Sequence, residues 1–136
     1  MKISELPWSF PEPRPHYPEL YVTGVGQDGD LAKRLISEGV SIVFSALPDS
    51  PASQIEEDLA MSGLVVISHS TIHRHSEKVP LIVPEVNNGH LKLIDSQTEY
   101  EGGMLVSCSN CMVVPLAISL APLIRSLPVD SVIITT

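Results

Sequence analysis

Short apolar runs that alternate with helix-like segments constrain the fold of this chain more than any other feature. Residues 40–47 (VSIVFSAL), 64–68 (LVVIS) and 104–107 (MLVS) have the length of strands. The first run is β-branched and apolar on both faces, which predicts a strand covered on both sides. A last strand is expected at 131–136 (SVIITT). This order predicts an α/β fold with a doubly wound, Rossmann-like parallel sheet.

The segments between these runs carry helix signals. In residues 30–39 (DLAKRLISEG), apolar residues recur at helical spacing and a glycine ends the pattern. In the next segment Ser50 is the expected N-cap, Pro51 takes the first helical position, and Gly63 ends the helix. Further helices are predicted over 88–94 and 111–126.

The N-terminal segment differs in composition from the rest of the chain. Residues 1–19 are rich in proline, which removes backbone donors, so we expect an extended arm or a surface loop. A short strand is predicted at 20–23, where the α/β core of residues 20–136 begins. A length of 136 residues suits a single domain.

A glycine pattern follows this first predicted strand. Gly24, Gly26 and Gly29 match G-x-G-x-x-G, the pattern of a dinucleotide-binding loop. However, the carboxylates of Asp28 and Asp30 would repel a pyrophosphate there, and the preceding strand is short. We therefore interpret the pattern as a turn that needs flexible glycines.

Charge and hydropathy exclude several classes of partner. The formal net charge is -8 and the eight basic residues are scattered, which argues against binding to nucleic acid. Residues 105–124 carry no charge, but polar residues and two prolines, Pro115 and Pro122, interrupt them, so a buried helix is favoured over a membrane span. The first ten residues lack the apolar core of a signal peptide. We expect a cytoplasmic protein with reduced cysteines.

Cys108 precedes the last predicted helix and Cys111 is its first residue, and the pair allows four interpretations. They could form a redox pair. A zinc site would need two more ligands, and the sequence has no second cysteine pair, so no metal site is predicted. Alternatively, Cys111 alone starts the helix, where N–H groups and the helix dipole stabilise a thiolate and an oxyanion. A buried, inert cysteine is the competing structural interpretation.

Three stretches in the same order resemble aspartate-β-semialdehyde dehydrogenases, in particular the archaeal and fungal branch. They are residues 42–48 (IVFSALP), 65–94 (VVISHSTIHRHSEKVPLIVPEVNNGHLKLI) and 109–123 (SNCMVVPLAISLAPL). The resemblance covers residues 40–136. It implies NADP as cofactor, and aspartate semialdehyde and phosphate as substrates. In this family a cysteine thiolate adds to the aldehyde, and phosphate cleaves the resulting acyl-enzyme.

The resemblance also assigns roles to individual residues. Cys111 matches the nucleophile, and Asn110 matches the asparagine that helps to position phosphate and substrate. His73 matches a common histidine, which we interpret as structural. The residues implied on the cofactor side are Ser45, Ala46, Leu47, Pro84, Glu85 and Asn87.

Departures from the family pattern shape the functional prediction. The family's glycine-loop strand would lie upstream of residue 1, and its general base and substrate clamp downstream of residue 136. Cys108 and His69 each stand where the family has asparagine. We therefore expect a single incomplete NADP-binding-type domain, feebly active at best, that forms a homo-oligomer or pairs with a chain supplying the missing parts. A non-catalytic interaction protein and a small thiol-redox protein are the alternatives.

Overall fold

The computed structural model describes residues 2–15, 21–24 and 31–135, and the chain divides into two compact units after residue 31. In the first unit, the 3-10 turn Ile3–Glu5 is the one helical element among the described residues. The guanidinium of Arg14 lies 5.5 Å from the ring centre of Trp8. The strand predicted at 20–23 is reduced to a single antiparallel bridge between Lys2 and Tyr21. Its first residue, and residues 25–30 of the glycine turn, lie outside the described residues.

The second unit is built on a parallel sheet of four strands. The strands run in the spatial order β1-β2-β4-β3, and every neighbouring pair is parallel. This confirms the predicted Rossmann-like α/β class. The strand bounds are Ile42–Ser45 (β1), Val65–Ser68 (β2), Leu81–Ile82 (β3) and Met104–Cys108 (β4).

Helices connect the strands as the sequence pattern predicts. The α-helices are Leu31–Ser37 (α1), Asp49–Met61 (α2), Pro84–Asn87 (α3) and Val113–Ser126 (α4). The helix expected at 88–94 is a 3-10 helix, Asn88–Ser96. Glycines end α1 and α2 as predicted, because Gly39 and Gly63 have φ of 80° and 90°, which side chains disfavour.

The predicted N-cap of α2 is wrong by two residues. Pro48 takes the cap position, the helix begins at Asp49, and no side chain caps it. The reason is a long-range contact: the Asp49 carboxylate accepts hydrogen bonds from Ser70 and Thr71. Ser50 therefore lies inside the first turn.

The two faces of the sheet differ in burial. Paired residues line up across β1, β2 and β4, so one face holds Val43, Val66 and Leu105, and α2 packs on it. On the other face Phe44 is 74% exposed and Ile42 is 52% exposed. The prediction that β1 is covered on both sides is thus wrong in the described structure. We call this second face the open face; it comprises Ile42, Phe44, Val65, Ile67, Met104 and Val106.

The C-terminal segment departs from prediction in three ways. Residues 131–135 form no strand, and Ile133 is 92% exposed, because a β-branched run without a neighbouring strand has no ladder to join. Helix α4 begins at Val113, two residues later than expected. No residue of α4 is buried, so the buried helix expected within residues 105–124 is wrong in the described structure.

None of the helices in the described ranges is long and apolar enough to cross a membrane.

Candidate active site

The carboxyl ends of all four strands meet at one edge of the sheet, because the strands are parallel. Ala46 and Leu47 follow β1, Pro84 and Glu85 follow β3, and the segment with Cys111 follows β4. Strand β4 lies next to β3 and two strands from β1, a distance of about 10 Å. The fold therefore places most of the predicted site residues along the edge where open α/β sheets bind ligands.

Asn110 organises the turn that carries the candidate nucleophile. Its Oδ1 accepts a hydrogen bond from the backbone N–H of Met112 at 2.8 Å. Its carbonyl oxygen accepts from Val113 and Val114 at 2.9 and 3.0 Å. Met112 holds the N-cap position of α4 and makes no side-chain cap. Asn110 closes the turn directly before the helix in the manner of a cap, and we call this turn, which holds the exposed thiol of Cys111, the capped turn.

This capping changes one expectation about the oxyanion site. The sequence predicted unpaired N–H groups at the start of the helix that could hold an oxyanion. Three of them, those of Met112, Val113 and Val114, are already bonded to Asn110. Of the two sources expected at the helix start, the helix dipole is then the one left to favour negative charge at the Cys111 sulfur.

Cys108 has a different environment from Cys111. It is half-buried at the end of β4, and burial raises the pKa of its thiol, an effect that the charge of Arg74 opposes. A higher pKa lowers the thiolate fraction at neutral pH, and the thiolate is the reactive form. The environment of Cys108 therefore disfavours a redox pair in which Cys108 attacks first.

Arg74 is a residue of this edge that the sequence analysis missed. Its Nε donates to the carbonyl of Cys108 at 3.2 Å, and its Nη2 donates to the carbonyl of His69 at 3.0 Å. The guanidinium thus bridges the ends of β2 and β4. Arg74 directly follows His73 in the stretch 65–94 that carries the family resemblance, so its position there could have drawn attention to it.

The predicted cofactor-side residues differ in what their side chains do. Ala46, Pro84 and Glu85 are exposed at the edge. Ser45 is buried on the face beneath α2, and its Oγ has no hydrogen-bond partner among the described residues. The Asn87 amide is engaged locally: its Oδ1 accepts from Val83 N and its Nδ2 donates to the Leu81 carbonyl, each at 2.8 Å. Asn87 therefore holds the turn between β3 and α3.

Two further groups are relevant to the chemistry of the site. His73 is 4% exposed and its Nε2 lies 3.0 Å from a carboxylate oxygen of Glu56, which agrees with the structural role predicted for this histidine. Within the described ranges, no three His, Cys, Asp or Glu side chains come close enough together to hold a metal ion.

Comparison with known proteins gives a consistent result. Residues 17–94 match the family model for the NAD-binding domain of semialdehyde dehydrogenases. The aspartate-semialdehyde dehydrogenase of Archaeoglobus fulgidus is 45% identical over 84 residues, which are 60% of this chain and 24% of that protein. The NADP malonyl CoA reductase of Metallosphaera sedula is 38% identical over 103 residues, covering 74% of this chain and 29% of that protein.

A solved structure agrees with these sequence matches. The crystal structure of the Candida albicans aspartate semialdehyde dehydrogenase with NADP has a TM-score of 0.56 and 31% identity, covering 63% of this chain and 26% of that one. The chain thus spans about a quarter of the length of the relatives that it matches.

Proposed function

This chain belongs to the family of the semialdehyde dehydrogenase NAD-binding domain, and from that premise we propose that it carries the nucleophile-bearing core of an NADP-dependent, phosphorylating aldehyde dehydrogenase. The proposed substrates are aspartate semialdehyde and phosphate. The observation that carries the proposal is the position of Cys111: an exposed thiol in a capped turn at the carboxyl edge of a parallel sheet. Relatives of the chain include aspartate-semialdehyde dehydrogenases from an archaeon and a fungus.

The residues at the sheet edge fit a dinucleotide in part. Pro84 and Glu85 are exposed beside the strand that leads to Cys111, and Ala46 is exposed two strands away at the same edge, which suits the nicotinamide end of the cofactor. Asn87 and Ser45 would act indirectly, by holding the turn and the strand end on which those exposed residues lie. NADP, when bound, supplies the two-electron oxidant of the reaction.

The remaining chemistry falls to the chain's own side chains. The Cys111 sulfur would attack the aldehyde carbon, forming a carbon–sulfur bond while the carbonyl oxygen takes up a proton. The Asn110 side chain has its oxygen engaged in the cap, which leaves its amide N–H groups to donate to a phosphate or substrate oxygen. Arg74 would contribute positive charge beside this turn. Since the family's base and substrate clamp belong to another part of its chains, this chain alone would turn over feebly at best.

Site-specific alkylation tests the proposed nucleophile. Iodoacetamide labelling across pH, with each cysteine resolved by fragmentation mass spectrometry, should show Cys111 reacting at pH 7 faster than a free thiol of ordinary pKa near 8.5. Cys108 is the internal control and should react more slowly, because burial raises its pKa. If Cys111 labels no faster than the free thiol, it is not an activated nucleophile and the proposal fails.

A second candidate function, a non-catalytic interaction protein, is favoured by the open face. Parallel sheets are normally covered on both faces, yet Phe44 and Ile42 lie largely exposed here. We propose that a second copy of the chain covers this face. Sedimentation at tens of micromolar should then show a dimer, and Phe44→Asp should yield monomer. Wild-type protein that sediments as a monomer would contradict self-association and direct the search to a different partner chain.

A further inference from the structure

Two junctions connect the loop that follows β2 to helix α2, and the first of them lies at the start of the helix. Asp49 Oδ1 accepts from Ser70 Oγ at 2.5 Å and from the backbone N–H of Thr71 at 2.8 Å. The Thr71 hydroxyl donates to the other carboxylate oxygen. These bonds, the one from Ser70 foremost, lower the pKa of Asp49 from 3.8 to about 2. The carboxylate is therefore ionised throughout the neutral range and holds the loop as a fixed acceptor.

The second junction is seven residues further along the helix, at Glu56. Seven residues are about two helical turns, so Glu56 lies on the same side of α2 as Asp49. Glu56 is 0% exposed, and its Oε2 lies 3.0 Å from Nε2 of His73 in the loop. In the described structure neither oxygen of Glu56 accepts a hydrogen bond. Among the described residues, the contact with His73 is thus the polar contact that this buried side chain makes.

Arg74 connects this loop to the candidate nucleophile. It follows His73 directly, and its Nε donates to the carbonyl of Cys108, the last residue of β4. That carbonyl lies three residues before Cys111. A shift of the loop would therefore move the guanidinium, release the Cys108 carbonyl and loosen the turn that Asn110 caps.

We propose that Asp49 and Glu56, which we call the carboxylate clamp, are positioning residues for the thiol of Cys111. They fix the loop, the loop fixes Arg74 against the Cys108 carbonyl, and the turn of Cys111 is thereby held in place. The inference rests on the proposed function in so far as that function makes Cys111 the nucleophile.

Amide hydrogen exchange followed by NMR tests the clamp without relying on reactivity. In Glu56→Gln and Asp49→Asn, the amides of Met112 and Val113 should exchange about tenfold faster than in wild type, because their bonds to Asn110 open more often. The amide of Val66 in the sheet should keep its protection, which separates local positioning from global destabilisation. Arg74→Met should reproduce the local effect, and Arg74→Lys should restore part of it.

The matched control removes an exposed ion pair of similar chemistry. Glu99→Gln breaks the contact of Glu99 with Lys78, whose side chains are 37% and 58% exposed, and should leave every one of these amides unchanged. The clamp is refuted if Met112 and Val113 keep wild-type exchange in Glu56→Gln and Asp49→Asn, or if Val66 loses protection by the same factor as they do.

Labelling of Cys111 in the same variants separates this inference from the proposed function. Fast wild-type labelling that slows about tenfold in Glu56→Gln supports both, since the position of the thiol then decides its reactivity. Slow wild-type labelling with local exchange changes refutes the nucleophile and leaves the clamp. Fast wild-type labelling that the clamp variants leave unchanged refutes the positioning of the thiol and leaves the nucleophile.

Discussion

Replacing Gln97 by alanine should destabilise the sheet at the strand that carries the site. Gln97 is 5% exposed at the end of the 3-10 helix, and its amide makes three hydrogen bonds to backbone. Its Nε2 donates to the carbonyls of Leu105 and Lys78 at 2.8 and 3.0 Å, and its Oε1 accepts from the N–H of Leu105 at 3.1 Å. Strand β3 pairs with β4 at Ser107 and Cys108. The Gln97 side chain instead bonds the backbone N–H and carbonyl of Leu105, which lie before that pairing on the same edge of β4.

The size of the effect follows from these three bonds. A buried hydrogen bond contributes about 1 kcal/mol net, so Gln97→Ala should lower the free energy of unfolding by about 3 kcal/mol. For a domain of this length that corresponds to a Tm lower by about 10 °C. Urea unfolding followed by circular dichroism should show a lower midpoint with an unchanged m-value, because the native fold is retained.

Two further variants make the measurement decisive. Gln54→Ala removes the same side chain from an exposed position on α2 and should change stability by less than about 0.5 kcal/mol. Gln97→Glu keeps the acceptor for Leu105 but removes both donors, so it should lose about 2 kcal/mol or more. If Gln97→Ala costs less than about 1 kcal/mol, water satisfies this edge equally well and the reasoning is wrong.

Two other predictions concern a glycine and the acid limb of stability. Gly103→Ala should prevent folding, because a Cβ there would lie 2.0 Å from the backbone oxygen of Ala60. Gly89→Ala is the control: a Cβ there has nothing within 4 Å, so its free energy of unfolding should stay within about 1 kcal/mol of wild type. A cooperative, wild-type-like unfolding transition for Gly103→Ala would contradict this packing. The folded pKa of Asp49 lies below its ordinary value, so its contribution to stability is present above pH 4 and is lost as pH falls towards 2. Asp49→Asn should therefore flatten the acid limb of a pH–stability curve, and identical limbs for the two proteins would show that the Ser70 and Thr71 bonds do not persist in solution.

Sequence patterns predicted the elements whose determinants are local. Local sequence signals were enough for several elements. Apolar runs of a few residues predicted the strands at 64–68 and 104–107, and a glycine at position 63 predicted the end of α2. The parallel order and the shared carboxyl edge also follow, because alternating strands and helices allow few topologies. The sequence also predicted that Cys111 starts the last helix, which is wrong by two residues because α4 begins at Val113.

The errors arise where a distant partner decides. Ser50 is a good N-cap on local grounds, but the carboxylate of Asp49 is held by residues 21 and 22 positions away. Arg74 contacts the carbonyl of Cys108, which is 34 residues away in the sequence, and the residues next to Arg74 in the sequence do not predict that contact. Residues 131–135 have the composition of a strand but form none, because a strand needs a neighbouring strand for its backbone hydrogen bonds.

Asn110 shows how a capping role and a functional role can share one side chain. A side-chain amide has an acceptor oxygen and two N–H donors, and the cap of α4 uses only the oxygen. The bond to Met112 fixes the orientation of the amide in the residue directly before Cys111, so its N–H groups need little further ordering to donate. A donor held in this way by the fold is what a developing oxyanion or a phosphate oxygen requires. Asn110 engages backbone N–H groups of the first turn, which can then no longer donate to a ligand. The N–H groups of its own side chain can take their place.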